Sequence, residues 1–446
     1  ATLAWRINPH TEDIAFLKEI YPRLVEFADS WFDRAQDADG DGWPEWESCI
    51  QAGLRQVPAF VPWHPSGPAA DVRLAETVDL ASYLFRELGS LLEMGQEIGD
   101  TQSTIAFAER RALLRRMVEE AWSEDDALYR HRDRDTHLTP SGVRLGRRAG
   151  RGEVRPRART PTGSRVLIWC TGPEADTGAL SVHLAGQGSD GKTLEETLGR
   201  DRFAWFWDSG TAVSQGTFSR LERIVIEGVG QEFRTEARTV DLSRQDAAQL
   251  LPLWAGLADE RRDEALVRRA VLDEARFWRA HGVPSCSAAD PSYGPSRGEG
   301  GAAGMVWNAM IAESLTAGGW RAEAAELVRR LMAGVIHGLT AQGEFRELLD
   351  PDAGLGLGEG GHVAGLFPVW AFLEVLGVRL LGPRKVRLDG ANPFPWPVEV
   401  RWRGLRVRRE PDVTRVTFPD GQELAVPAAG RQLVSQEDEA AETRML

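Results

Sequence analysis

Apolar residues recur at three- and four-residue steps in two separate blocks of this chain, and the block between them follows a different rhythm. Leu17, Tyr21, Leu24, Ala28, Trp31 and Ala35 mark one face of a helix over 12–36, and Leu74, Ala81, Leu84, Leu88 and Leu91 mark another over 73–98. The same spacing predicts helices over 102–122, 245–257, 260–281, 303–317, 320–338 and 363–379, with Gly-, Pro- or Asp-rich joints between them. Amphipathic helices of this length bury their apolar faces by pairing. The pattern therefore predicts helical hairpins around one core and argues against a nucleotide-binding sheet.

Between the blocks, residues 165–170, 180–184, 203–207 and 223–227 are short apolar runs bounded by turn residues, which predicts an inserted β subdomain over 164–240. The stretch 127–160 before it holds Arg144, Arg147, Arg148, Arg151, Arg155, Arg157 and Arg159 and little that is apolar. It can be an anion site or a solvated, partly disordered loop, and the loop is the expectation. A second β unit is expected over 385–427, where Val398, Val400 and Trp402 alternate and Pro419-Asp420-Gly421 supplies a turn. From 428 the chain is acidic and poor in apolar residues, as a disordered tail would be. The expected division is 1–126 and 241–383 as two parts of one helical barrel, 127–240 as the insert, 384–427 as the β unit and 428–446 as the tail.

At 446 residues the chain can bury a large core. Its 53 basic and 67 acidic residues leave a net charge of −14, which argues against a broad nucleic-acid surface. No apolar run reaches the roughly 18 to 20 residues of a membrane span. The chain opens Ala-Thr-Leu without a start Met or a signal segment, so a fragment lacking an upstream part is expected, from a bacterial-type cytoplasmic protein. Cys49, Cys170 and Cys286 form neither a pairing framework nor a metal pattern, as in a reducing compartment. Sixteen Trp accompany four Tyr; Trp rings can stack on sugars, although most are expected in the core.

Four segments could carry chemistry. Asp37, Asp39, Asp41, Trp43 and Glu45, hinged on Gly42, have the alternating acidic spacing of a calcium loop; a tight acidic turn ending the first helix is the other reading. The segment with Trp46, Gln51, Gln56, Trp63 and His64 joins two long helices and combines aromatic faces with the donors and acceptors that sugar hydroxyls need. A Pro-bounded loop at 284–293 leads to Trp307 and Asn308 at a helix start, where they are expected to face a pocket. Glu347 sits in a short, partly apolar segment, followed by Gly354, Gly356, Gly358, Gly360, Gly361 and then His362. That setting brings a carboxylate to a cleft rather than to open solvent.

Together these segments resemble the inverting (α/α)6-barrel glycoside hydrolases of the processing α-glucosidase I and mannosylglycerate hydrolase type. The likeness covers about 12–125 and 241–380. It rests on Asp39-Gly40-Asp41-Gly42-Trp43-Pro44-Glu45-Trp46, on Gly282 to Tyr293, and on Phe345-Arg346-Glu347. It implies a mainly α fold, a six-hairpin toroid with an inserted β subdomain and a C-terminal β unit, and a sugar pocket at one end. It makes Glu347 the general base, and Trp46, Gln51, Gln56, Trp63, His64, Trp307, Asn308 and His362 the substrate-binding residues. No cofactor is required beyond a possible structural calcium, and the partner is a small saccharide or glycoside with α-glucosyl or α-mannosyl units.

Two departures stand out. Met305 stands where the family's substrate loop has Pro, and the general-acid position falls on Gln56, whose amide cannot give up a proton as a carboxylic acid does. Losing general acid catalysis costs about 10²- to 10⁴-fold. Glu47 or Asp71 could serve instead, or the chain is a catalytically impaired carbohydrate-binding relative. A helical scaffold with no sugar role is a third reading.

Overall fold

The computed structural model describes residues 1–11, 14–53, 57, 59–60, 69–156, 160, 163–173, 178–257, 259–297 and 300–436. Helix α1 (Thr2–Thr11) precedes α2 (Ile14–Ser30), which buries Leu17, Tyr21 and Ala28. The short strand β1 (Ala75–Glu76) leads into α3 (Val78–Ile98), and α4 (Thr101–Glu120) follows at once. Gly99 ends α3 at φ +85°, a left-handed conformation that costs glycine little. Asp100 then caps α4 by accepting the Ser103 N–H at 3.2 Å, so two long helices turn back to back with no linker.

Short strands β2 (Trp122–Ser123), β3 (Leu128–Tyr129) and β4 (Arg132–Asp133) lead to a sandwich. Its strands are β5 (Arg144–Ala149), β6 (Gly152–Val154), β7 (Val166–Thr171), β8 (Ser181–Gly188), β9 (Thr193–Gly199), β10 (Ala204–Phe206), β11 (Ser209–Val213), β12 (Phe218–Glu227) and β13 (Arg234–Thr239). Five of them run in the order β10-β11-β7-β13-β5 and four in the order β6-β12-β8-β9. Ile168, Cys170, Val182, Leu184, Ile224 and Ile226 meet in a core of their own between the sheets. The Arg-rich stretch expected as a loop therefore supplies strands β5 and β6. Leu145 points inward while the arginines project outward, and β13 and β12 satisfy the backbone.

The chain returns to helices with α5 (Leu251–Ala255), α6 (Glu260–Leu266), α7 (Met305–Ala317) and α8 (Arg321–Gln342). A hairpin of β14 (Arg346–Leu349) and β15 (Gly356–Gly360) precedes α9 (Val369–Leu376). Helices α3, α5, α7 and α9 pack in succession, with α1, α2 and α4 against α3, and α8 against α7 and α9. Glu313 of α7 ties this group together: it accepts from Arg86 of α3 at 3.0 Å and from the Trp254 indole of α5 at 2.8 Å, and it pairs with Arg6 of α1. Burial alone would raise its carboxyl, but Arg86 and Arg6 outweigh that and hold it below the usual carboxylate range.

Strands β16 (Val378–Gly382), β17 (Lys385–Asp389), β18 (Val398–Trp402), β19 (Leu405–Arg409), β20 (Val413–Thr417), β21 (Glu423–Pro427) and β22 (Arg431–Ser435) complete the described chain. They form sheets β16-β17-β22 and β18-β19-β20-β21.

Several expectations change. Helix α2 stops at Ser30 rather than 36, and only 260–271 of the stretch 260–281 is helical. Residues 363–365 form a separate 3₁₀ turn ahead of α9. The expected disordered tail begins with β22, which pairs with β17; residues 437–446 lie outside the described residues. With 34% helix and 28% strand the protein is mixed α and β rather than mainly α. The nine α-helices among the described residues fall short of six hairpins. None is long and apolar enough to cross a membrane.

Candidate active site

Four backbone segments far apart in sequence are stitched side by side at the N-terminal end of α7. The Ala247 N–H donates to Ser285 O at 2.9 Å, the Ser285 N–H to Ala302 O at 3.0 Å, and Ala303 and Leu349 exchange bonds of 2.8 and 3.0 Å. A cavity of about 620 Å³ opens over this seam, and Ala247, Ser285, Ala302, Trp307, Glu347 and Leu348 all line it. Most of the remaining wall is apolar, including Val57, Val283, Met305 and Leu357. Such a mixture, apolar surface with a few convergent polar groups, suits a small ligand.

Glu347 reaches the cavity through a distortion of the β14–β15 hairpin. Arg346 pairs with Gly360 and Leu348 with Leu357, so a bulge lies opposite Glu347 and re-aims its side chain. Gly358 is the residue that makes room for it. Its φ is +77°, and a Cβ there would lie 3.0 Å from Glu347 Oε2. The glycine-rich stretch thus serves close approach of the second strand to the carboxylate.

Trp307 and Glu347 are brought to one cavity; the other described residues named from sequence as substrate-binding are not. Asn308 is fully buried and bonds Val283 and Gly304 backbone groups, so it braces the wall instead of facing a ligand. Trp46 is a core residue: its ring packs edge-on against Trp31 and Tyr83, and its indole N–H donates to Asp79 at 3.3 Å. Gln51 is exposed and accepts the Glu47 N–H at 3.1 Å. His362 caps the 363–365 turn by accepting the Ala364 N–H at 3.3 Å. Gln56, Trp63 and His64 lie outside the described residues, although Gly53 and Val57, which flank Gln56 in sequence, line the cavity. Glu47 and Asp71 line a different pocket of about 230 Å³, against Ala204 and Thr211 of the sandwich.

Sequence reading passed over Ser285 and Ser296 as site residues, and both line the cavity. The Pro284-Ser285-Cys286-Ser287 loop ahead of a helix was the available signal. It also missed a buried pair, His131 and Asp246, joined Nε2 to Oδ2 at 3.1 Å. Their separation by 115 residues leaves no local sign.

The acidic loop divides between two groups. Ligand atoms of Asp37, Asp39 and Glu45 lie within 4.8 Å of one another, and so do those of Asp39, Asp41, Glu76 and His137. Asp37 already accepts the N–H groups of Gly40 at 2.8 Å and Gly42 at 3.0 Å, which closes the turn. Trp43 is buried, with its indole on Thr77 O at 3.2 Å, so its side chain is core. Glu45 Oε2 accepts the Ala38 N–H, while Oε1 is buried without a hydrogen-bond partner. Burial, with neighbouring Asp39 and Asp37, pushes its carboxyl up to about 8. Burial likewise takes Glu76 to about 9, despite Arg132 on its Oε2 at 2.9 and 3.0 Å.

Comparison with known proteins gives the geometry a context. No curated protein sequence matches the chain. Among solved structures it is similar to a GH63 mannosylglycerate hydrolase from Thermus thermophilus in complex with glucose, at 16% identity over 81% of this chain and 68% of that one, with a TM-score of 0.45. It is also similar to a sialidase, at 11% identity over 96% of this chain and 32% of that one, with a TM-score of 0.54, a likeness of fold. The family model for the mannosylglycerate hydrolase MGH1-like glycoside hydrolase domain matches residues 1–191 and 230–363. That match spans most of the chain, including α1 to α8 and every cavity-lining residue but Ala364, and the chain belongs to this family of glycoside hydrolase domains.

Proposed function

We propose that this protein is an inverting glycoside hydrolase acting on α-glucosyl or α-mannosyl saccharides or glycosides, with Glu347 as general base. The observation that supports it most directly is Glu347 re-aimed by a bulge into a cavity it shares with Trp307. In that reaction Glu347 takes a proton from a water molecule as its oxygen attacks the anomeric carbon, opposite the bond to the aglycone. The glycosidic bond breaks with its electron pair on the aglycone oxygen, which then needs a proton. Inversion requires room for the water, with the two carboxyl groups roughly 6.5 to 9.5 Å apart.

Among the described residues that line the cavity, Glu347 is the one carboxylate. Gln56 occupies the position where the resemblance expects the acid, and its amide can hydrogen-bond the aglycone oxygen without protonating it. Turnover then depends on leaving groups stable enough to depart unaided. The alternative, a carbohydrate-binding relative without useful hydrolysis, draws on the same glutamine. We also infer that the helical part is a relative of the six-hairpin toroid.

An aryl glycoside with an activated phenol, compared with its alkyl counterpart, tests the first reading. Turnover of the aryl substrate, lost by about 10²-fold or more in Glu347→Ala, is expected. Sugar binding with no turnover of either substrate would overturn the hydrolase and leave the binding protein.

The acidic loop fits a structural calcium ion held by Asp37, Asp39 and Glu45. Calcium takes six to eight oxygen ligands, and the buried, unpartnered Glu45 Oε1 is an acceptor in search of a cation. The ion would neutralise a crowd of carboxylates and fix the loop; no step of the reaction runs through it.

A further inference from the structure

Two of the arginines that sequence alone assigns to a loop, Arg147 and Arg148, line a groove on the sandwich. Across the five-stranded sheet, Arg147, Glu236, Trp169 and Thr211 are register partners in one row, and Arg234 and Thr171 pair in the next. Ile168, Cys170 and Ala237, which alternate with these residues, face the sandwich core, so both rows point away from it. A groove of about 350 Å³ lies over Arg147, Glu236, Trp169, Arg234 and Thr171. Trp169 is half-buried, and its indole N–H donates to Ser209 at 2.7 Å, which fixes the ring.

The charge of this face runs against that of the chain. Glu236, its one acid in these rows, is engaged on both sides, by Arg147 and by Arg238 Nε at 3.1 Å. Arg147 is 65% exposed at its side chain, and Arg234 is exposed as well. Two guanidinium groups thus hold one carboxylate, and Arg234 adds a third on the same face, in a protein of net charge −14. Strands lie about 4.8 Å apart, and diagonal neighbours on one face about 7 to 8 Å. Arg234 is one strand over and one row on from Trp169, while Arg147 is two strands over in its row. Both side chains can reach a group carried by a ring that rests on Trp169.

We propose that this face is a second carbohydrate site, separate from the Glu347 cavity, and that it takes an acidic saccharide of the uronic-acid class. A sugar ring lies on Trp169, its carboxylate is held by Arg234 and Arg147, and its hydroxyls donate to Glu236. Guanidinium groups match carboxylates bidentately. A phosphate polymer is the poorer occupant, because it brings no hydroxyl donors for the Glu236 carboxylate. The site does not depend on the hydrolase reading, since none of its residues lines that cavity.

Calorimetric titration of the full chain with trigalacturonate, maltotriose and tripolyphosphate tests it. Saturable binding of trigalacturonate is expected, weakened about tenfold or more by Arg234→Ala and less by Arg234→Lys. Maltotriose binding, which falls to the Glu347 cavity, should be unchanged by Arg234→Ala, and the melting temperature and aryl-glycoside turnover of both variants should match the parent. Trp169→Phe should weaken binding too; should that variant unfold, the Arg234 pair decides alone. Absence of trigalacturonate binding, binding indifferent to Arg234→Ala, or maltotriose binding that Arg234→Ala weakens as much would overturn the proposal. Tripolyphosphate binding as tightly as trigalacturonate would overturn it in favour of a general polyanion surface.

Discussion

Asn308 clasps the peptide groups of Val283 from both sides: its carboxamide oxygen accepts the Val283 N–H at 2.7 Å, and its amide donates to the Val283 carbonyl at 2.9 Å. A third bond reaches Gly304 O at 2.9 Å. The first turn of α7 therefore holds the 283–285 wall of the cavity through one fully buried side chain. Asn308→Ala leaves a buried donor and acceptor unpaired, which should cost about 2 to 4 kcal/mol. Urea unfolding should show that loss, with weaker sugar binding beside it, and Asn308→Asp should fall between. An unchanged midpoint would mean that the wall is held by other contacts.

Calcium should raise the melting temperature, and a chelator should reverse the rise. Binding only to the folded state adds about 2.7 kcal/mol at a hundredfold excess over Kd. Asp39 belongs to both acidic groups, so Asp39→Ala should abolish the response whichever group holds the ion. A melting temperature indifferent to both calcium and chelator would leave the loop as an acidic turn.

Asp263 of α6 supplies a pH dependence away from that loop. Burial, with Asp259 adding repulsion, raises its carboxyl from 3.8 to about 6, and its Oδ1 has no hydrogen-bond partner. A carboxyl raised by folding stabilises the native state fully below its unfolded pKa, and that contribution is lost as pH rises through the folded value. The penalty therefore develops between about pH 4 and 6 and persists above. Asp263→Asn should gain about 1 to 2 kcal/mol at pH 8, allowing for partial exposure, and little at pH 4. Equal gains at both pH values would refute this origin.

Local signals served the hairpins well and the site less well. The α3–α4 turn was legible because Gly99 and Asp100 are the residues that end one helix and begin the next. Trp31 and Ala35 continue the apolar period of α2, yet the helix stops at Ser30, just ahead of the turns that lead into the Asp37 loop. Strand β5 escaped because only Leu145 faces inward and the arginines present no apolar alternation. At the site, Glu347 stood out through the glycines that follow it. The cavity walls did not, because they depend on bonds among residues 247, 285, 302 and 349, which only tertiary structure brings together. Residue type alone suggests Trp46 and Asn308 as ligand contacts; their partners Asp79 and Val283 are long-range.

Gly358 offers the sharpest test of whether the aim of Glu347 matters. Alanine there must adopt φ near +77° and would set its Cβ 3.0 Å from Glu347 Oε2. Gly361, at φ +68°, would carry a Cβ with nothing within 4 Å. Both substitutions bear the left-handed backbone cost of about 1 to 2 kcal/mol, but only the first displaces the carboxylate. A misplacement near 1 Å can cost about 10²-fold in rate. The carboxylate need give by only a few tenths of an ångström, so Gly358→Ala should lower kcat on an activated aryl glycoside by about three- to tenfold, with KM little changed, while Gly361→Ala loses stability alone. Equal kcat in the two variants would show that the bulge opposite Glu347 does not set the position of a reacting group.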